Sequence, residues 1–80
     1  MWIRTQDKKH LLKNPLKLSI SKNFGSKHKA AIVAEYESNS IFGNQQLSIG
    51  QFLTEKEALE ELTNIENFIR DISTGVYQVK

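Results

Sequence analysis

The sequence predicts an α+β fold: an antiparallel, curved meander of four to five strands with one long C-terminal helix laid over its apolar face. Three observations carry that expectation. Strand-like runs separated by polar turns fill the chain up to Phe52. One segment, from about Thr54 to Ile72, repeats apolar residues at helical spacing behind a capping signal. There is no cysteine among the 80 residues, so a single domain over 1–80 must rest on one well-patterned core or on burial against a second copy.

The elements follow in order. Trp2–Lys13 reads as a hairpin: Trp2–Thr5 is strand-forming, Gln6–Lys9 is polar and turn-like, and His10–Lys13 returns. Asn14-Pro15 ends it, because the prolyl ring lacks an amide donor and pushes Asn14 towards extended backbone. Leu16–Ser21 alternates cleanly, with Leu16, Leu18 and Ile20 on one face and Lys17, Ser19 and Ser21 on the other. After a turn at Asn23–Ser26, Ala30–Tyr36 is apolar on both faces and suits a central strand. Glu37–Asn44 is a polar connection. Gln45–Phe52 is a further strand with Leu47 and Ile49 facing inward, and Gly50 marks a bulge or a close contact.

The helix begins at Thr54, where Thr54-Glu55-Lys56-Glu57 matches a capping box and Leu53 and Ala58 hold the staple positions. Ala58, Leu59, Leu62, Ile65, Phe68, Ile69 and Ile72 form its apolar stripe. Glu55, Glu57, Glu60, Glu61, Glu66 and Asp71 fall outside it. Gly75 is the expected stop, and Val76–Val79 reads as a short final edge strand.

Charge is sorted along the chain. Residues 1–29 carry eight cations against the single Asp7, whereas 30–80 carry eight carboxylates against Lys56, Arg70 and Lys80. The net charge of +2 hides that split. A domain with one basic and one acidic face has a field that orients partners.

The chain resembles, through Trp2-Ile3-Arg4-Thr5-Gln6-Asp7-Lys8-Lys9 and through Gly50-Gln51-Phe52-Leu53-Thr54-Glu55-Lys56-Glu57-Ala58-Leu59, a group of short, mostly uncharacterised proteins of Gram-positive bacteria and their phages or prophages. Those proteins open on a bulky residue followed by Ile-Arg-Ser/Thr-Gln-Asp/Asn-Lys. The resemblance touches both ends of the chain and not its middle. It implies mobile-element or host-accessory biology and transfers no catalytic residue.

Catalysis is not expected. His10 and His28 have no cysteine, aspartate or second histidine at ligand spacing, so no metal or cofactor is expected. No nucleophile motif is present, and the helix glutamates read as a solvated stripe. The leading expectation is a non-enzymatic binding protein acting through protein–protein contacts with itself or a host protein, as a homodimer. Its expected interaction surface is Trp2, Arg4, Lys8, Lys9, Lys17, Lys22, Lys27, His28 and Lys29. Trp2 itself is expected to plug the core, with Trp2–Thr5 as an edge strand. The first alternative is non-specific nucleic-acid binding by the basic strands. Against it stand the shortage of arginine and the use of lysine to protect sheet edges. The second alternative is capture of a small anionic ligand between subunits. No run approaches the roughly 20 apolar residues of a membrane span; with no signal-like start, a cytoplasmic location is expected.

Overall fold

The computed structural model describes residues 1–22, 29–37, 43–72 and 74–80. Its elements are β1 (Trp2–Arg4), β2 (Leu11–Lys13), β3 (Lys17–Lys22), β4 (Ala30–Tyr36), β5 (Gln45–Phe52), α1 (Glu55–Asp71) and β6 (Val76–Gln78). The α+β class holds, with one helix of 17 residues packed on sheet. The single meander does not. Among the described residues, six strands form two three-stranded sheets, ordered β2-β1-β6 and β3-β4-β5. In the first sheet β1 is antiparallel to β2 but parallel to β6. The strand expected at an edge is therefore the central one, and β2 and β6 are the edges.

Between the two sheets, Gln6 makes the hydrogen bonds through both its backbone and its side chain. The Gln6 amide donates to the Ile49 carbonyl at 2.8 Å. The Gln6 side chain then mimics a neighbouring strand: Oε1 accepts from the Gln51 amide at 2.9 Å and Nε2 donates to the Gln51 carbonyl at 3.1 Å. Nε2 also reaches the Lys80 carbonyl at 3.1 Å. One residue thus satisfies backbone groups of two segments, β5 and the stretch after β6, that would otherwise need water or a strand partner.

The expected hairpin forms, with Trp2 opposite Lys13 and Arg4 opposite Leu11. Asn14 departs from expectation, with φ of +43°. Asparagine tolerates left-handed backbone, and here its Oδ1 accepts from the Met1 ammonium at 2.6 Å while its amide donates to the Met1 carbonyl at 2.8 Å. Those two bonds outweigh the extended preference imposed by Pro15. The expected turn at Asn23–Ser26 lies outside the described residues.

In the second sheet β4 is central and its Ala30, Ala31, Ile32 and Ala34 are buried. Leu18 and Ile20 of β3 pack on the core as their alternation requires, but Leu16, ahead of the strand, is exposed. Both readings of Gly50 hold. Ile32 pairs with Gly50 and Val33 with Ser48, so Ile49 is the extra residue of a bulge. A Cβ on Gly50 would stand 2.9 Å from Val79 Cγ1 and 3.1 Å from Phe52 Cε2.

Thr54 caps α1 from extended backbone, its Oγ1 accepting from the Glu57 amide at 3.2 Å. Of the capping box the structure forms this half. The helix ends at Asp71, where Ile72 is extended and its amide donates to Phe68. Gly75 is therefore not the stop. With φ of +116° it turns the chain into β6, and its carbonyl accepts from the Trp2 amide at 3.0 Å. The core unites both sheets and the helix: Ile3 and Val79 meet Ile32, Ile49, Phe52, Ala58 and Ile65.

Candidate functional site

Ile3 faces the core, so the alternation of β1 turns Trp2 and Arg4 to the opposite face. Trp2 is 38% exposed, which overturns the core role expected for it. Its row across the sheet is Lys13, Trp2, Val76, and the next is Leu11, Arg4, Gln78. Lys13 Nζ lies 5.7 Å from the centre of the Trp2 ring, within cation–π range. Leu11 and Val76 are half-exposed beside them.

The loop after β1 completes this face. Buried Thr5 donates from Oγ1 to Asp7 Oδ1 at 2.6 Å, and the same oxygen accepts from the His10 amide at 3.1 Å. Asp7 Oδ1 also accepts from the Lys9 amide at 2.9 Å. The Thr5 hydroxyl first, and then the Lys9 amide, stabilise the carboxylate and hold its pKa below the ordinary 3.8. Lys8 sits at φ +66°, its amide donating to the Thr5 carbonyl at 2.8 Å. Arg4 Nε donates to the Lys8 carbonyl at 3.3 Å. The outcome is a shallow hollow of about 380 Å³ lined by Arg4, Lys8, Lys9, His10, Leu11 and Val76. Asp7 lines a different hollow with Gln6, Ser48 and Gln51.

Of the expected surface, the structure brings together Trp2, Arg4, Lys8 and Lys9. Lys17 and Lys22 belong to the other sheet, Lys29 stands just ahead of its central strand, and Lys27 and His28 lie outside the described residues. Lys17 pairs across from Glu35, and Lys22 Nζ is 3.3 Å from Glu55 Oε2. Both lysines therefore stand beside a carboxylate, one on β4 and one at the start of α1, whereas the outer face of the first sheet carries cations alone. Sequence reasoning missed Lys13, Leu11 and Val76. Lys13 was legible from the hairpin register; Val76 was not, because its parallel pairing with β1 has no local signal.

A second surface lies where α1 meets β3. Leu18, Leu59, Leu62, Ile65 and Ile69, with Thr63, Glu66 and Arg70, line a groove of about 490 Å³. Leu59 and Ile69 are 49% and 46% exposed, although the helical spacing assigns both to the core stripe. The thin sheet covers only part of that stripe. Glu61 shows the opposite error. Expected outside the stripe, it is 4% exposed, with Oε2 accepting from the Lys80 amide at 2.7 Å and Oε1 from Asn64 Nδ2 at 3.0 Å. Its spacing from Ala58 and Ile65 does put it on the inward face. The buried Tyr77 hydroxyl makes no hydrogen bond of ordinary geometry. Burial foremost, and then the nearby Glu61 carboxylate, raise its pKa.

Among the described residues, no three His, Cys, Asp or Glu side chains are grouped to hold a metal ion, and no helix is long and apolar enough to cross a membrane. Comparison with protein-family models, with curated proteins and with solved structures finds no match for this chain.

Proposed function

We propose that this chain is a non-enzymatic binding protein of mobile-element type that works through protein–protein contact, and that its groove between α1 and β3 pairs with a second copy. The supporting observation is the composition of that groove. A closed two-fold interface sets one patch against itself, so the patch must tolerate its own charge. Here the apolar residues are accompanied by one anion, Glu66, and one cation, Arg70. Leu59, Leu62, Glu66 and Ile69 follow one another at steps of three, four and three, the spacing of a helix-pairing seam. The basic face cannot pair this way, because Arg4, Lys8, Lys9 and Lys13 would meet their own like charges. Mobile-element origin rests on the resemblance carried by the opening motif and the strand-to-helix junction.

Sedimentation velocity at tens of micromolar tests the pairing: a dimer is expected, and Leu59→Glu with Ile69→Glu should give a monomer of unchanged circular dichroism. Both side chains are half-exposed, so the fold tolerates the exchange. A monomeric parent, or a variant that stays dimeric, removes the groove from the reading.

A further inference from the structure

We infer that the outer face of the β2-β1-β6 sheet binds single-stranded nucleic acid without sequence preference. Three features of that face select the ligand. Arg4, Lys8 and Lys9 line a hollow that holds no carboxylate, and neither Arg4 nor Lys13 has one among its cross-strand neighbours. The Asp7 carboxylate of the same loop is occupied by Thr5 and Lys9 and lines another hollow. An exposed indole stands on the central strand, with Leu11 and Val76 apolar beside it.

A surface that is both cationic and aromatic fits a ligand that is both anionic and planar. Single strands offer phosphates and unstacked bases together, and a base face on an aromatic ring is a sequence-tolerant contact. A duplex keeps its bases inside the stack and offers the indole nothing. An acidic peptide satisfies the lysines and leaves Trp2 unused. Lysine outnumbers arginine on this face, and Arg4 is tied through Nε to the Lys8 carbonyl, so bidentate base reading is weak. The sheet's other face, with Ile3 and Tyr77, packs on the core, and among the described residues the outer face carries the exposed Trp2, Leu11 and Val76. This surface is separate from the α1–β3 groove, and binding to a short strand does not require pairing of two copies.

Trp2 is the sole tryptophan, so its fluorescence reports stacking directly. Titration with an oligothymidylate of about 12 nucleotides, a length within the span of a small binding face, is expected to quench it. Neutralising about three phosphates of a single strand lowers affinity about twentyfold between about 50 and about 200 mM salt. With a labelled oligonucleotide followed by anisotropy, Trp2→Leu is expected to weaken binding about tenfold, Trp2→Phe to restore most of it, and Lys13→Ala to flatten the salt slope. Leu59→Glu, on the other surface, should leave the affinity for this short strand unchanged. The inference is overturned by absence of quenching at low salt, or by a duplex of equal length binding as tightly. It is overturned equally by polyglutamate competing as well as the oligonucleotide, or by indifference to Trp2→Leu in a variant whose circular dichroism is intact.

Discussion

Thr5, Gln6 and Asp7 show how much of the opening motif is spent on construction. Ile3 fills the core, Thr5 and Asp7 fix the loop, and Gln6 fastens the two sheets. The turn was legible in the sequence, because Gln-Asp-Lys-Lys is polar and local. The Gln6 joint was not, since its partners stand 45 and 74 residues away. Glu61 was legible in spacing but masked by its charge. The depressed Asp7 pKa gives a signed prediction. Its contribution to stability is fully present above the ordinary carboxylate value of 3.8 and is lost as pH falls through the lower folded value. Urea midpoints measured across that acid range should therefore fall for the parent and fall less steeply for Asp7→Asn. Identical slopes would mean that the carboxylate is unbound in solution.

Among the elements, β4, β5 and the start of α1 fall where alternation and capping put them, because each is specified by residues within its own length. Sheet membership was beyond reach. β1 is flanked by strands from opposite ends of the chain, and nothing in Trp2-Ile3-Arg4 distinguishes a central from an edge position. Two substitutions probe the elements. Gly50→Ala forces a methyl group against Val79 and the Phe52 ring, and overpacking of this kind costs about 1–3 kcal/mol. An undiminished melting temperature would show that Val79 and the Phe52 ring can give way. Thr54→Ala removes the hydroxyl that accepts from Glu57 and should cost about 1 kcal/mol. Glu57→Ala, lacking a return bond to the cap, should cost distinctly less when both are measured by chemical denaturation.

For the whole molecule, the charge sorting of the sequence survives only in part. It yields one basic face on the first sheet, whereas on the second Lys17 stands across from Glu35 and Lys22 meets Glu55 of the helix. Linear order cannot show this, because antiparallel pairing carries residues of the acidic stretch alongside the basic one. If two copies pair through the α1–β3 groove, association is linked to folding, so the melting temperature should rise with protein concentration for the parent and not for the Leu59→Glu, Ile69→Glu variant. The weave of the first sheet has a kinetic corollary. As the chain leaves the ribosome, Leu11–Lys13 can zip onto Trp2–Arg4 at once, yet the far flank of that ribbon stays open until the residues beyond the helix emerge. Throughout that interval Ile3 lacks its Tyr77 neighbour and the central strand offers an unpaired backbone to any extended polypeptide nearby. Folding of this domain thus passes through a stage of vulnerability that closes when β6 docks on β1.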